Sequence, residues 1–338
     1  MDIIDDLGVA CRQLVALDGE GFEVLVVLVK ANFDLARLDG GVPALARAHD
    51  PIELADRYRG KPESSSLLCA AEGAPFKPAT DVLLSGHARP RQRGQVWGEV
   101  EFEFAALAKR ATVCGPRLWK RGLLGGAVPA DPAPFEGVAL TWENTFGGVD
   151  TSYDPPRRFE PNPAGSGFRP SSKAELRGTP APQVEHPDAS IESAGSSGRA
   201  QGFGPIAPFW AARAQYAGTY DEAWMKSRMP LLPADFDARF HQVAPPDQIL
   251  PGYIRGGERV RIRGMSAGGE LAFQVPAWRP DVGVFVGDAL RKLAPRCDTV
   301  HIDTDRMTMS LLFRDSLRIH GRLAELCWVH VSAEERRG

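Results

Sequence analysis

Apolar and polar residues alternate with a period of two in several segments of the chain, which is the pattern of β-strands with one buried face. Residues 99–104 place three glutamates on one face of such a strand and Val100, Phe102 and Phe104 on the other. Val24–Val29 is a continuous aliphatic run that extends to residue 33, which predicts a central strand buried on both faces. Further strands are predicted at 80–87, 110–114 and 137–142.

The same alternation returns after residue 258. Arg259, Arg261 and Arg263 are interleaved with Val260 and Ile262. Strand patterns follow at 271–275, 282–286, 300–302, 307–313 and 323–331, at the spacing of an all-β meander. The sequence therefore predicts a mainly β fold with antiparallel sheets, sandwich- or barrel-like, together with long Pro/Gly-rich loops and a few short helices.

The residues between these two parts lose the periodicity. Ten prolines and seven glycines fall within residues 150–210, and this composition is typical of irregular structure. We therefore divide the chain into an N-terminal β-rich part (1–150), a connector with short helices (151–258) and a C-terminal β meander (259–338). The meander is expected to pack with the N-terminal part in one composite domain.

The second half of the connector, Gly202–Glu258, is too long and too aromatic for an unanchored loop. Thr219 and Glu222 have the spacing of a capping box before a short helix that Pro230 ends, and residues 235–242 predict a second helix. Five aromatic residues are expected to anchor the segment on the β core, and four charged residues to form an ion-pair network above them. The anchors are Phe209, Trp210, Trp224, Phe236 and Phe240, and the network consists of Arg228, Asp235, Asp237 and Arg239.

Composition narrows the class of protein. A net charge of −3 gives no reason to expect a nucleic-acid partner. The five cysteines are scattered without a C-x-x-C pair, which indicates free thiols in a reducing cytoplasm. The first residues lack the pattern of a signal peptide, and the longest aliphatic run is too short to span a bilayer. We expect a cytoplasmic protein without membrane insertion.

Two segments resemble catalytic or metal-binding motifs. Residues 264–268 match G-x-S-x-G around Ser266, but the nucleophile elbow needs a helix after the serine, whereas strand patterns flank this segment on both sides. His301, Asp303 and Asp305 could offer ligands to a metal, although aspartate between two strands also favours a turn. A hydrolase or metal-dependent enzyme thus remains an alternative hypothesis.

Exposed tryptophans such as Trp97 or Trp278 suggest a carbohydrate-binding β module as a further alternative, although scattered aromatic residues are more often core residues. The glutamate and arginine ladders are typical of solvated strand faces. The seven histidines are dispersed, and no phosphate-binding or dinucleotide-binding loop is present. The residues therefore assign no catalytic group, no cofactor and no metal.

A set of short motifs nevertheless carries a specific resemblance. They are the segments APFKPATDV (74–82), WKRG (119–122), WENTFGGVD (142–150), NPAG (162–165) with GF (167–168), GPIAP (204–208), AGTYD (217–221), PADFD (233–237), APPDQ (244–248) and LPGY (250–253). In this combination the chain resembles a bacterial type VI secretion accessory family, once known only as a domain of unknown function. The resemblance extends from about residue 24 to about residue 317.

The resemblance implies a non-enzymatic effector adaptor or chaperone in the cytoplasm. Members of that family are implied to hold a cognate type VI effector, often one with a PAAR-type tip domain, and to help load it onto the VgrG spike. The family has no established catalytic residues, so none is transferred to this chain. The motif and structural candidates are Trp142, Glu143, Asn144, Phe146, Gly147, Gly148, Trp224, Arg228, Asp235, Asp237, Arg239, Asp247 and Tyr253.

Overall fold

The computed structural model describes residues 2–123, 126–169, 176–194, 198–266, 268–319 and 321–333. Within these ranges the chain is mainly β, as the alternation predicts, and its two α-helices are short. The helices are α1 (Ala211–Ala214) and α2 (Glu222–Ser227), and single 3-10 turns lie at Trp142–Asn144, Ala238–His241, Pro246–Gln248 and Leu323–Glu325. The strands in chain order are β1 (Asp2–Asp5), β2 (Ala10–Leu17), β3 (Glu23–Asp39), β4 (Val42–Leu45), β5 (Arg57–Tyr58), β6 (Leu67–Cys69), β7 (Thr80–Ser85), β8 (His87–Ala88), β9 (Trp97–Phe104), β10 (Leu107–Cys114), β11 (Trp119–Arg121), β12 (Ala127–Pro129), β13 (Val138–Ala139), β14 (Phe146–Gly147), β15 (Val149–Asp150), β16 (Arg157–Arg158), β17 (Ser166–Gly167), β18 (Val184–Glu185), β19 (Ile249–Leu250), β20 (Arg259–Arg263), β21 (Glu270–Gln274), β22 (Pro280–Val286), β23 (Ala289–Leu293), β24 (Arg296–Asp303), β25 (Thr308–Arg318) and β26 (Leu326–Ala333).

Three larger sheets form the body of the protein. The seven-stranded sheet has the order β19-β7-β24-β25-β3-β2, with β4 paired to β3. The five-stranded sheet has the order β18-β10-β9-β20-β21, and the four-stranded sheet the order β1-β26-β22-β23. Most neighbours are antiparallel, but β7 and β24 pair in parallel, as do β1 and β26. The strands after residue 258 are divided among all three sheets instead of pairing in sequence as a single meander.

One hydrophobic core is shared by the three sheets. Its residues include Val29 and Phe313 of the seven-stranded sheet, Phe102 of the five-stranded sheet, and Val284 and Val329 of the four-stranded sheet. Strand β3 is buried along most of its length, which confirms that the apolar run from residue 24 is an interior strand. Within the described residues, no helix is long and apolar enough to cross a membrane.

The two charge ladders meet on the outer face of the five-stranded sheet. Strands β9 and β20 align Arg261 with Glu103 and Arg263 with Glu101. The Arg263 guanidinium contacts Glu101 at 3.0 Å and Glu270 at 2.6 Å. These side chains are partly exposed, so this face of the sheet is solvated, as the alternation predicts. The carboxylates and guanidiniums neutralise one another there.

Candidate functional site

The motif at residues 142–150 lies at the centre of a small network of buried contacts, which we call the hub. Strand β14 pairs in parallel with β17, which brings this motif against the motif that begins at Asn162. The Asn162 side chain is fully buried and donates to the carbonyl oxygens of Trp142 and Phe146 and to the Thr145 hydroxyl. A Cβ at Gly147 would lie 2.1 Å from the Asn162 carbonyl oxygen, so the backbones approach closely only because residue 147 is glycine.

The other residues of this motif join the hub to distant loops. Trp142 donates its indole N–H to the Gly204 carbonyl, and Glu143 accepts from the backbone N–H and hydroxyl of Ser66. Asn144 donates to the Ala139 carbonyl. Phe146 is buried in a separate apolar cluster, and Gly148 has φ +110°, a conformation that favours glycine. The candidates Trp142, Glu143, Asn144, Phe146, Gly147 and Gly148 therefore have structural contacts that account for them.

The seven-stranded sheet has one face towards the core. Its other face, which we call the polar face, carries buried ion pairs beside a small apolar cluster that includes Val26, Leu28 and Leu312. On the polar face, Lys30 pairs with Glu72 at 2.8 Å, Lys77 with Asp81 at 2.7 Å, and Arg314 with Asp298. The segment between residues 50 and 83 and the chain near residues 205 and 243 cover this face and leave a cavity of about 210 Å³. The buried charges are paired with one another, as burial requires.

Asp81 joins this polar layer to the connector. Its carboxylate accepts hydrogen bonds from the Gln242 side chain and from the backbone N–H groups of Val243 and Ala244. Beyond these residues, Tyr253 donates its hydroxyl to the Lys77 carbonyl at 2.6 Å. The end of the connector is therefore fixed to the polar face of the sheet.

A second anchor involves the candidate Asp247. Its carboxylate contacts the ammonium of Lys109 at 2.8 Å, and that ammonium also donates to the Gly202 carbonyl. Burial lowers the pKa of Lys109, and the nearby carboxylate opposes the shift. Asp247 and Tyr253 thus lie at opposite ends of the segment that closes the connector, and each makes a contact that fixes it.

The possible metal ligands at residues 301–305 have separate partners. His301 lies 2.9 Å from the Ser85 hydroxyl, and burial lowers its pKa to about 4, so its imidazole is neutral. Asp303 accepts from the backbone N–H groups of the turn that follows it, whereas Asp305 pairs with His87. Across the described ranges, no group of three or more His, Cys, Asp or Glu side chains could hold a metal ion.

The serine of the G-x-S-x-G motif lies in the turn between β20 and β21, with a strand on each side. The hydroxyl of Ser266 is buried and makes no hydrogen bond within the described residues, whereas the strand–turn–helix geometry of a nucleophile elbow would present it at the surface. Ala267 of this motif lies outside the described residues.

The two tryptophans considered for carbohydrate binding differ in their surroundings. Trp278 packs against Phe33 and Phe313 with ring centroids 6.1 and 5.3 Å apart, so its ring belongs to the core. Trp97 is exposed on one side and carries the Arg117 guanidinium over its ring. They do not form a shared aromatic platform.

The prediction that five aromatic residues anchor the connector on the β core is corrected by their burial in the structure. Among the five, only Trp210 is buried, and it packs edge-to-face on Trp142 with ring centroids 5.3 Å apart. Phe209 is exposed, and Trp224, Phe236 and Phe240 are half-buried. Residues 201–207 and 242–248 are largely buried, whereas helix α2 between them has no buried residue. The segment is thus fixed at both ends and projects in the middle.

The four charged residues of this segment do not form one network. Asp237 pairs with Arg239 at 2.6 Å, while Asp235 accepts from the backbone and hydroxyl of Thr219. The Arg228 guanidinium instead donates to the carbonyls of Gly19 and Leu232. Because Thr219 is engaged with Asp235, the predicted capping box does not form.

Helix α2 is capped two residues later than predicted. The Asp221 side chain accepts from the Trp224 backbone N–H. The second predicted helix is only the single 3-10 turn Ala238–His241. The candidate Trp224 donates its indole N–H to the Leu231 carbonyl at 2.8 Å and packs edge-to-face on Tyr220.

Three large side chains in this part of the connector are largely exposed, although Tyr220 packs edge-to-face on Trp224. Tyr220 is 54% exposed, and Met225 and Met229 are each 61% exposed. We call residues 219–232, which carry them, the projecting segment. Its Leu231 side chain lies next to Gly21, in the turn of the β2–β3 hairpin. Composition alone did not distinguish these residues from core residues, although the solvent-exposed pair Glu222–Lys226 on the same helix is a signal of exposure.

Strand β2, in the same hairpin, forms one edge of the seven-stranded sheet. It pairs with β3 along eight residues, and within the described parts of the chain no strand pairs with its other side. Val15 and Leu17 on this strand and Phe22 in the turn are exposed. Exposed apolar side chains beside an open strand edge are the features to which another protein chain binds.

Comparison with known proteins gives a family and no close relative. No curated protein sequence and no solved structure matches the chain. A family model described as "Uncharacterized protein conserved in bacteria (DUF2169)" matches residues 20–314, which include the hub, the polar face and the projecting segment. The chain therefore belongs to this conserved bacterial family, DUF2169.

Proposed function

We propose that the protein is an adaptor that binds another protein through the projecting segment. The observation that carries this proposal is the exposure of Tyr220, Met225 and Met229 on a segment whose two ends are fixed to the body of the protein. Solvent-exposed methionines adapt their shape to varied apolar surfaces and are frequent where proteins bind partners. A rigid attachment lowers the entropy that such a surface loses on binding.

The neighbouring edge of β2 extends this surface. A partner strand could hydrogen-bond to the free edge while its side chains contact Val15 and Leu17. The Arg228–Gly19 hydrogen bond, at 3.1 Å, keeps the projecting segment next to the hairpin that carries this edge. The two features together support a protein partner and require no catalytic residue, cofactor or metal.

The identity of the partner follows from the motif resemblance given above. We infer that it is a cognate type VI effector, including effectors joined to a PAAR-type tip domain, and that the adaptor helps to load it onto the VgrG spike from the bacterial cytoplasm. Membership of a conserved bacterial family is consistent with this inference. A stable β scaffold with an exposed binding element suits a protein that holds a client and performs no chemistry on it.

Co-purification tests this proposal. The tagged protein is co-expressed with the effector encoded beside it, and the effector is expected to elute with the tagged chain. In a second experiment Tyr220, Met225 and Met229 are replaced together by serine, which is expected to weaken the complex by at least about 30-fold, the effect of losing one central apolar contact. The matched control replaces three exposed leucines elsewhere, Leu54, Leu118 and Leu323, by serine.

Three outcomes of these experiments lead to different conclusions. Loss of capture only in the projecting-segment variant supports the proposal, provided that circular dichroism shows both variants folded. Equal capture by the wild type and both variants refutes the assigned surface. If neither the effector nor the spike protein is retained by the folded wild type, the adaptor function itself is wrong.

A further inference from the structure

A cleft on another side of the protein is lined by three arginines. Its cavity volume is about 600 Å³, within the range of ligand-binding pockets, and its walls come from residues 252–255, 279–281 and 293–297. Arg255, Arg279 and Arg296 are exposed at its rim. They are far apart in the sequence, and the bridge between Ile254 and Cys297 brings two of the three walls together.

None of these three arginines forms an ion pair with a described carboxylate. The carboxylate of Asp281, which also lines the cleft, is engaged by Lys292 at 3.2 Å. Glu258, close in sequence to Arg255, accepts from the backbone N–H groups of residues 255 and 256. Three arginines without an ion-pair partner among the described residues therefore line one cleft, in a chain whose net charge is −3.

Two features make this cleft suited to a peptide chain. The Arg296 guanidinium lies over the Tyr253 ring, 5.0 Å from its centroid, which holds the charge at the rim. Leu293, at the end of strand β23, also lines the cleft. Strand β23 is an edge of the four-stranded sheet, with no strand on its other side within the described residues, and its other four residues are exposed. Leu293 therefore places the cleft at one end of an open strand edge.

We propose that this cleft binds an extended acidic segment of the client protein. Arginine guanidiniums bind carboxylates through paired hydrogen bonds, and clusters of arginines recognise acidic motifs in this way. The backbone of the segment continues along the edge of β23 by strand addition. The inference rests on the proposed adaptor function, because it names the chemistry of a second contact with the same client.

The experiment measures binding of a defined acidic peptide. Fluorescein-labelled hexaglutamate is titrated with the full chain, and fluorescence anisotropy is recorded in 50 mM and 500 mM NaCl (about 14 and 4 Å of screening length). Binding is expected at the lower salt and not at the higher, and labelled hexaglutamine is expected not to bind. Replacement of Arg255, Arg279 and Arg296 together by glutamate is expected to weaken hexaglutamate binding by at least about tenfold.

A matched variant controls for the change in overall charge. Arg47, Arg59 and Arg91 are also exposed, and replacing these three by glutamate changes the net charge equally. The proposal is supported if this control binds hexaglutamate with wild-type affinity and the cleft variant binds it more weakly. The proposal is overturned if the two variants lose affinity for hexaglutamate equally, or if the wild type does not bind hexaglutamate. It is also overturned if a labelled 12-nucleotide single-stranded DNA binds at the cleft more tightly than hexaglutamate does.

Client capture distinguishes this inference from the adaptor function. If the cleft variant fails to bind hexaglutamate and captures the client less well than the matched variant does, both proposals are supported. If the wild type captures the client but the cleft variant captures it equally well, the cleft inference is wrong and the adaptor function stands. If the wild type captures no client, the adaptor function fails, and the inference that rests on it fails as well.

Discussion

Replacing the two tryptophans at positions 210 and 224 by alanine separates the anchored part of the connector from its projecting part. Trp210 is 1% exposed and packs on Trp142 in a cluster with Leu67 and Ile206. Truncating a fully buried tryptophan typically costs about 3–5 kcal/mol, a large part of the roughly 5–15 kcal/mol that stabilises a folded domain. Trp210→Ala is therefore expected to leave the protein barely stable.

The expected loss for Trp224→Ala is much smaller. Its indole makes one hydrogen bond, to the Leu231 carbonyl, and one edge-to-face contact, with Tyr220. A hydrogen bond contributes about 0.5–1.5 kcal/mol and an aromatic pair a similar amount, so the free energy of unfolding is expected to fall by about 1–2 kcal/mol. The fold should persist, because helix α2 contributes no buried residue.

Urea unfolding followed by far-ultraviolet circular dichroism gives the free energy of unfolding of each protein. This signal comes mainly from the peptide backbone, so it remains usable after either tryptophan is removed. Equal denaturant dependence in the three proteins would show that the comparison concerns stability alone. If Trp224→Ala lowers the free energy of unfolding as much as Trp210→Ala does, the projecting segment stabilises the body of the protein. Its assignment as a binding surface would then be refuted.

Thiol reactivity, acidic pH and a buried ion pair provide further tests. Ellman's reagent is expected to modify exposed Cys327 fastest in the native protein, half-buried Cys11 and Cys69 more slowly, and the two buried thiols only after unfolding. Burial raises the pKa of Cys11, for example, to about 12, and rapid reaction of all five thiols would contradict this expectation. Burial lowers the pKa of His301 from 6.5 to about 4, so the unfolded chain binds a proton that the folded one does not. The contribution of His301 to the free energy of unfolding is complete above pH 6.5 and falls by about 1.4 kcal/mol per pH unit as pH drops towards 4. In urea unfolding, the free energy of unfolding of His301→Gln should depend less steeply on pH in this range. An unchanged pH dependence would exclude this role. Arg314→Met leaves the Asp298 carboxylate buried without its ion-pair partner and is expected to lower the free energy of unfolding by about 3–5 kcal/mol in the same assay. Adding Asp298→Leu is expected to recover part of this loss. A neutral effect of the single change would show that the pair is not buried.

The strands were predictable from the sequence where one face is buried and the other solvated. In β9 and β20 this contrast produces a period of two that the chain displays directly. Pairing between distant strands has no such local signal, so the division of residues 259–338 among three sheets could not be read from the pattern. Likewise, Lys30 and Asn32 follow an apolar run, and only their partners in the fold explain why they are buried.

The candidate sites show the same limit. The type of an aromatic residue indicates its apolar area but not whether the fold covers it, which is why Trp210 and Trp224 were expected to act alike. The three arginines of the cleft are separated by strands in the sequence, and nothing local relates one to another. The motif at 142–150, by contrast, contains a position where the fold restricts the residue type, because the close approach of two backbones at Gly147 leaves no room for a side chain.

The parallel pairing of β7 with β24 has a consequence for synthesis of the chain. Thr299 of β24 lies opposite Asp81 of β7, and β25 separates β24 from β3, so the seven-stranded sheet can be completed only after residue 318 has left the ribosome. Until then β3 has β2 as its long partner and exposes an aliphatic edge. Contacts so distant in sequence form slowly, and unfinished sheets aggregate readily. We therefore expect the nascent chain to expose apolar strand edges until β25 has been synthesised.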